Sequence, residues 1–208
     1  KGSHLVIKRT MNIFHTYLIY QLISIGYSET GVTDLAQKAT ETGNVTVITS
    51  SFTDPIGIEG LWGLDGTFIV NAGCQQSYEA LINIPEYPTH SDKVKRVDIL
   101  EKTKETLKVD YTESGFGFES TSTQLWTFKA TPIPSITSKS VGEEDTPSWL
   151  EMTFQDVGHP NYCEIHIQVF ADVSFVPKFV MNWMSSMAAK GLATTYRDII
   201  QGSVNKTE

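Results

Sequence analysis

The chain has 208 residues, a formal net charge of −8 and 40% hydrophobic residues, a composition typical of one folded domain of ordinary size. This charge excludes a nucleic-acid binder, because neutralising phosphates requires a basic surface, and it disfavours tight electrostatic docking on anionic lipid. A neutral or weakly charged ligand remains compatible with it.

Residues 1–43 are predicted to form a helical extension ahead of the main domain. Gly2-Ser3-His4 is typical of an expression-tag remnant, and an apolar-rich run follows at Met11–Tyr27. A helix that spans a bilayer needs about 20 apolar residues, so an amphipathic helix packed on the domain is favoured over an export signal or a membrane anchor. The compartment stays undetermined, and Gly31–Gly43 is expected to be a polar link or a short helix.

A strand, a glycine-rich segment and a short helix come next. Asn44–Phe52 alternates as a strand, and glycines then recur at every third position from Gly57 to Gly66. Their spacing does not match a phosphate-binding loop, so we predict a bent or bulged strand with a turn, resuming at Thr67–Ala72. A short helix is expected over Gln75–Ile84, because the prolines that follow cannot continue it.

Alternating strands fill the middle of the chain. Val94–Leu100 and Thr106–Thr112 are joined by a polar turn, which predicts a hairpin. Phe116–Ala130 is the clearest alternating segment. One of its faces is aromatic at both ends and small and polar between them, and consists of Phe116, Phe118, Ser120, Ser122, Gln124, Trp126 and Phe128. This pattern is typical of a cavity wall with room for a ligand, although a wet sheet centre gives the same pattern. A loop is expected from Pro132 to the acidic turn Gly142–Asp145.

The last third of the chain predicts two strands and one long helix. Strands are expected at Ser148–Gln155 and Tyr162–Val173, and the helix from Pro177 to about Gln201. One helix face carries apolar residues, and Arg197 falls on the polar face. The later strands follow one another without helices between them. We therefore predict an α+β fold with an antiparallel sheet, because parallel strands require crossover helices.

A curved antiparallel sheet closed by a terminal helix can leave its interior hollow, so we interpret the arrangement as a container for an apolar ligand. For each residue taken singly, a packed core is the alternative. The candidate ligand-binding residues are Phe116, Phe118, Gln124, Trp126, Phe128, Met152, Phe154, Ile165, Ile167, Val180, Trp183, Met184 and Met187. The candidates for contacting a polar group of the ligand are Ser120, Ser122, Gln124 and Arg96. The segments around Pro132–Ser140 and Trp62 are candidates for a movable gate.

The sequence contains no catalytic or metal-binding motif of comparable strength. Cys163, His159 and His166 lie close in sequence, but strand alternation places Cys163 on the apolar face and His166 on the opposite one. We therefore predict no catalytic residue, no metal site and no cofactor. Cys74 and Cys163 are far apart in sequence, and a disulfide between them is not favoured.

Four segments resemble a known superfamily, and one of them is Val94–Leu100, which resembles the strand that follows the grip segment of that superfamily. Gly66–Ala72 and Ser77–Pro88 resemble the first strand and the grip helix of START-like domains, closest to the branch with polyketide cyclases and coenzyme Q-binding proteins. Val176–Met184 is similar to the start of the closing helix in START domains. The resemblance covers roughly Gly66 to Ile200. It implies a helix-grip fold, in which a curved antiparallel sheet wraps around a long C-terminal helix.

The resemblance also implies a function. A tunnel would hold a sterol, phospholipid, fatty acid or quinone, for binding and transport with transient membrane contact. The alternatives are a polyketide cyclase or aromatase that uses the same cavity, and an interaction module with a solid core. The long extension before Gly66 departs from the compact cyclase-type members and is nearer to full START domains, so no specific lipid is carried over. We divide the chain into an extension (1–43), a ligand-binding domain (44–201) and a tail (202–208).

Overall fold

One antiparallel sheet dominates the computed structural model. The described residues are 37–39, 44–49, 62–115, 118–172 and 178–206, with the backbone alone at 44–49, 62, 115, 118 and 178–190. The sheet has eight strands in the order β1-β2-β8-β7-β6-β5-β4-β3, and every neighbouring pair is antiparallel. The strands are β1 (Asn44–Thr49), β2 (Trp62–Val70), β3 (Val94–Lys102), β4 (Thr106–Gly115), β5 (Phe118–Lys129), β6 (Ser135–Ser140), β7 (Ser148–Asp156) and β8 (Cys163–Ala171).

Helices lie between β2 and β3 and at the C-terminal end. They are α1 (Cys74–Ile82), the single-turn α2 (Tyr87–His90) and α3 (Lys178–Asn205), with a 3-10 turn at Ile84–Glu86 between the first two. Gln76 Oε1 accepts the backbone N–H of Gly73 at 3.2 Å, which satisfies one free donor at the start of α1. α3 runs past the end predicted at Gln201, so part of the predicted tail is helical.

The inner face of the sheet packs against α1, α2 and the second half of α3. Alternate residues of each strand reach this face, because side chains alternate along a strand. They form one core with the helices, whose fully buried members include Phe68, Ile136, Met152, Ile165, Leu81, Tyr87, Ile199 and Ile200. Burying one such large apolar side chain stabilises the fold by about 1.5–3 kcal/mol.

The α+β antiparallel prediction is confirmed, with one strand more than the sequence indicates. β6 lies in the segment expected to be a loop, and it pairs with both β5 and β7. Among its six residues only Ile136 is a large apolar one, and Ile136 is fully buried. The two neighbouring strands supply the burial that the β6 sequence lacks, so its hydrophobic pattern could not reveal it.

Gly63 and Gly66 lie within β2, which is regular. Every residue of β2 pairs with β8 in unbroken register, so the predicted bulge is absent from this part of the glycine-rich segment. A Cβ on Gly63 would lie 2.8 Å from Cε1 of Phe170, so glycine here allows an aromatic ring of β8 to pack closely. Gly57 and Gly60 lie outside the described residues.

A disulfide joins Cys74, in the first turn of α1, to Cys163 at the start of β8, so the prediction that disfavoured it is wrong. The two Cα atoms are 4.8 Å apart, although 89 positions separate them in sequence. Val70, the last residue of β2, stands opposite Cys163 in the β2–β8 ladder. The few residues between Val70 and Cys74 therefore bring the two cysteines together, which sequence separation alone could not indicate.

The second half of α3 buries a charged residue that its periodicity placed on the polar face. Arg197 is 7% exposed, and its Nε and Nη2 atoms donate to the backbone oxygens of Ile69 at 3.1 Å and Lys38 at 3.3 Å. Its guanidinium also lies over the ring of Phe68, 5.5 Å from the centroid. The polar-face prediction for Arg197 is wrong. Helix periodicity cannot show that backbone carbonyl groups of other elements accept hydrogen bonds from a buried guanidinium.

The N-terminal predictions are only partly within the described chain. Met11–Tyr27 lies outside the described residues, and residues 37–39, inside the predicted link, are helical. In the ranges that the structure describes, no helix is long and apolar enough to cross a membrane.

Candidate functional site

One end of the inner face is tightly packed. Met152 stands opposite Ile167, and Phe154 stands opposite Ile165, in the β7–β8 ladder. Trp126, Met152, Ile165 and Ile167 are at most 2% exposed, and Phe154 is 6% exposed. The register thus brings five of the candidate residues together, but it packs them as core. We call this region the sealed end; it consists of Trp126, Met152, Phe154, Ile165 and Ile167.

The same strands keep accessible side chains at their opposite ends. We call this region the accessible end; its inner-face residues are Ser120, Ser122, Gln124, Ser140, Leu150 and Val169. The ladders place them side by side, with Gln124 opposite Ser140 and Leu150 opposite Val169. A concave face with half-buried apolar and polar side chains is the usual setting of a ligand pocket.

α3 crosses the inner face from the accessible end to the sealed end. It begins a few residues after β8 leaves the accessible end, and its second half packs in the core. Its first half, which holds four candidate residues, therefore spans the accessible end. These four are Val180, Trp183, Met184 and Met187, whose side chains lie outside the description. Phe118 begins β5 and is described by its backbone alone, Phe116 lies outside the described residues, and Phe128 is half-buried against the core.

A short chain of hydrogen bonds connects polar residues of β5 and β6. Ser138 Oγ donates to Gln124 Oε1, and Gln124 Nε2 donates to Ser122 Oγ, both at 3.1 Å. Ser120 lies at the next inner position of β5 and is exposed. Three of the polar candidates are therefore adjacent on the accessible end.

Arg96, the fourth polar candidate, lies on the outer face. Its guanidinium pairs with the carboxylate of Asp98, and the two side chains are 69% and 45% exposed. A register shift between Val94 and Arg96 in the β3–β4 ladder inserts one residue and leaves Arg96 opposite Thr112. Simple alternation from the buried Val94 cannot reveal this bulge.

The expected gate around Pro132–Ser140 is largely a paired strand. Its residues Ser135–Ser140 form β6, and the turn before β6 lies at the sealed end. The turn after β6 lies at the accessible end, where Asp145 Oδ2 accepts the backbone N–H groups of Thr123 at 2.7 Å and Gly142 at 3.1 Å. Trp62 begins β2 at that same end.

Sequence reasoning missed an acidic residue on the inner wall. Glu113 lies two residues beyond Tyr111 on the inner face of β4, opposite Ser120 of β5. Desolvation by the surrounding protein raises the pKa of its carboxyl, although the residue itself is exposed. The alternation of Leu107, Val109 and Tyr111, continued by one step, would have revealed it.

Tyr111 of β4 and Tyr196 of α3 interact electrostatically with Glu113, and Tyr87 of α2 interacts with these two tyrosines. Tyr87 of α2, Tyr111 of β4 and Tyr196 of α3 are all buried, and burial raises the pKa of each hydroxyl. The charge of Glu113 raises the pKa of Tyr111 and Tyr196 further, which requires these side chains to be near one another. The hydroxyls therefore stay protonated at neutral pH and can both donate and accept hydrogen bonds.

The cysteine and histidine candidates do not form a reactive group. Cys163 is bonded to Cys74, so it carries no thiol. His166 Nε2 lies 2.7 Å from Asp65 Oδ1, and Gln168 Nε2 donates to Asp65 Oδ2 at 2.7 Å, on the outer face of β2 and β8. Within the described ranges, no three His, Cys, Asp or Glu side chains are grouped as metal ligands.

Solved structures provide the comparison, because neither a family model nor a curated protein sequence matches this chain. The chain is similar to the ZhuI aromatase/cyclase from Streptomyces sp. R1128, with a TM-score of 0.56 and 11% identity over 71% of this chain and 96% of that one. It is similar to a STAR-related lipid transfer protein from Xanthomonas axonopodis, with a TM-score of 0.55 and 10% identity over 76% of this chain and 93% of that one. Human STARD10 gives a TM-score of 0.55 and 14% identity over 84% of this chain and 80% of that one.

Identities this low establish a common fold and nothing finer. The described elements agree with that fold, since a curved antiparallel sheet lies against a long C-terminal helix. The chain therefore has the START-like helix-grip fold.

Proposed function

We propose that this chain binds and transports a lipid or another hydrophobic small molecule between the inner face of its sheet and the first half of α3. The observation that carries the proposal is the contrast between the sealed end and the accessible end of one continuous face. Protein interiors are close-packed, so an inner face that keeps Leu150 and Val169 only half-buried leaves surface for another molecule. In this proposal, residues 44–201 form the ligand-binding domain, with 1–43 as an extension and 202–208 as a tail.

The energetics suit a mostly apolar ligand with few polar groups. Burying a few hundred Å² of ligand surface at about 25 cal/mol per Å² contributes several kcal/mol, enough for micromolar binding after the costs of association. The accessible end offers apolar contacts at Leu150 and Val169 and hydrogen-bonding groups at Ser122 and Gln124. The names of two proteins with this fold, a lipid transfer protein and an aromatase/cyclase, agree with a ligand of this kind.

A matched pair of variants on β7 tests the proposal. Leu150→Gln changes the accessible end, and Glu151→Gln changes the outer face one residue away. We expect native mass spectrometry to detect a co-purified hydrophobic molecule in the wild type and in Glu151→Gln, and to detect much less of it in Leu150→Gln. The comparison uses only monomeric fractions whose circular dichroism spectra match the spectrum of the wild type. Equal retention in both variants, or no ligand in any sample after incubation with a lipid extract, would contradict the proposal.

A second candidate function is a polyketide cyclase or aromatase that acts in the same space. Glu113 beside Tyr111 and Tyr196 favours it, because cyclisation needs acid or base groups within reach of a bound chain. Conversion of a poly-β-keto thioester by the wild type, with loss of turnover but not of binding in Glu113→Gln, would support the enzyme. Binding of the thioester without any conversion would favour the carrier.

A further inference from the structure

Both cysteines of the chain are oxidised. The sequence has only two, Cys74 and Cys163, and they form the disulfide that joins α1 to β8. Cys163 is fully buried, so the bond is part of the packed interior rather than an exposed pair of thiols. Structural disulfides form and persist in oxidising compartments and are rare in the cytosol, where thiols are kept reduced. The chain is therefore suited to an oxidising compartment such as the lumen of the secretory pathway.

Two asparagine-x-threonine triplets gain meaning in such a compartment. They are Asn44-Val45-Thr46 and Asn205-Lys206-Thr207, and neither has proline in the middle. This triplet is the acceptor for N-glycosylation, and it has to lie on the surface of a secreted protein to be used. Because the triplet also arises by chance, its position in the fold must decide whether it is an acceptor.

The structure gives the two triplets different surroundings. Asn44 begins β1, where its backbone stands opposite Thr67 in the β1–β2 ladder. Asn205 is exposed and is the last residue of α3, and the chain turns at Lys206. Transfer of a glycan requires the asparagine amide and the hydroxyl two residues further on to meet in a local turn. The end of a helix can form such a turn, whereas a strand held in a ladder cannot.

The end of α3 also leaves room for a large group on Asn205. The next side chain, that of Lys206, lies along α2, where its Nζ donates to Thr89 Oγ1 at 3.2 Å and lies 3.9 Å from Glu86 Oε2. Within the described ranges, the Asn205 carboxamide makes no hydrogen bond that a glycan would break. The first half of α3 spans the accessible end, so a glycan at the last residue of α3 would stand well away from it.

We propose that Asn205 is an N-glycosylation site and that the chain passes through the secretory route. The donor is an oligosaccharide joined through C1 of its first sugar to a polyprenyl diphosphate. Asn205 Nδ2 attacks this C1, and the C1–O bond to the diphosphate breaks. The diphosphate leaves with the bonding electrons, and one amide proton passes to a base of the transferase, so nothing is oxidised or reduced. The site is independent of ligand binding in the interior.

Expression of the full chain behind a cleavable export signal in cultured eukaryotic cells tests the proposal. We expect intact-mass spectrometry of the secreted protein to show a glycosylated species. Peptide N-glycosidase should remove the glycan and convert the asparagine to aspartate, and peptide mapping should locate this change at residue 205. Without reductant, the deglycosylated mass should also show the loss of two hydrogen atoms that the disulfide requires.

Four variants assign the modification to one triplet. Asn205→Gln and Thr207→Ala break the triplet at different residues, and each should abolish glycosylation at residue 205. Asn44→Gln should leave it unchanged, as should Asn71→Gln, the matched control at an exposed asparagine outside any triplet. Absence of a glycan at residue 205 in the wild type, whether the protein is unmodified or is modified at Asn44 alone, would overturn the proposal. Recovery of the wild type with both cysteines reduced would overturn it as well.

Discussion

Glu113 is an acidic side chain that the fold holds in surroundings better suited to its neutral form. The pKa of this carboxyl is raised on folding, so the folded state favours its protonated form. The carboxyl therefore contributes to the stability of the fold only at low pH, where it is protonated. That contribution is complete below the ordinary value of 4.5 and is lost as the pH rises through the raised value. The groups facing it are Tyr111 from its own strand, Tyr196 from α3, Val94 from β3 and Ser120 from β5, and none of these titrates in the same window.

Replacement of Glu113 should therefore change how stability depends on pH. We expect ligand-free Glu113→Gln to melt at a higher temperature than the wild type at pH 7.5, and the difference to disappear near pH 4. Thermal unfolding followed by circular dichroism across this range measures the effect, with Glu119→Gln as the matched control. A lower melting temperature for Glu113→Gln at pH 7.5 would show that the carboxylate is stabilised in the fold.

Arg197 offers a second prediction at the level of one side chain. It reaches from α3 to backbone carbonyls of Ile69 in β2 and of Lys38 in the N-terminal segment. Lysine cannot reproduce this fork of donors, so Arg197→Lys should lower the free energy of unfolding by about 2 kcal/mol. Urea denaturation measures the loss, and Gln201→Ala, an exposed position on the next turn, is the control. A loss below that of the control would mean that the carbonyl contacts contribute little.

At the level of elements, the disulfide ties α1 to the sheet. A bridge that spans 89 positions restricts the unfolded chain strongly, and the chain-entropy model assigns it about 4.6 kcal/mol. The double variant Cys74→Ala/Cys163→Ala should unfold at a clearly lower urea concentration than the oxidised wild type. Reduction with dithiothreitol should lower the wild-type midpoint and leave that of the double variant unchanged. An unaffected wild-type midpoint would contradict the prediction.

The elements also show what the sequence could and could not predict. The hairpin of β3 and β4, the short helix after β2 and the strands β7 and β8 have strong local patterns, and the structure confirms them. β6 has no such pattern, because its burial comes from its neighbours, and the bulge beside Arg96 reverses a face without any signal in composition. The candidate wall residues Met152 and Ile167 do face inward, but apolar alternation cannot distinguish a filled interior from one with space.

At the level of the whole molecule, the charge of −8 bears on how the proposed carrier meets a membrane. Anionic lipid would repel the protein, and repulsion between exposed charges weakens with salt. We expect transfer of a fluorescent lipid from phosphatidylcholine vesicles to be faster than from vesicles that contain phosphatidylserine. Added salt should reduce the difference. Faster transfer from the anionic vesicles would indicate a basic docking surface elsewhere on the chain.

The attachments of α1 and of the end of α3 restrict which parts of the protein can move apart. The disulfide holds the start of α1, while at the end of α3 Gly202 lies against the ring of His90 and Lys206 Nζ donates to Thr89 Oγ1 at 3.2 Å. Separation of sheet and helix is therefore easiest where the first half of α3 spans Leu150 and Val169, beside the turn from β6 into β7. Cargo would then arrive and leave through a single mouth. A long molecule that reaches as far as the sealed end must have travelled in with that end leading, and its other end would be the last part to enter and the first to emerge.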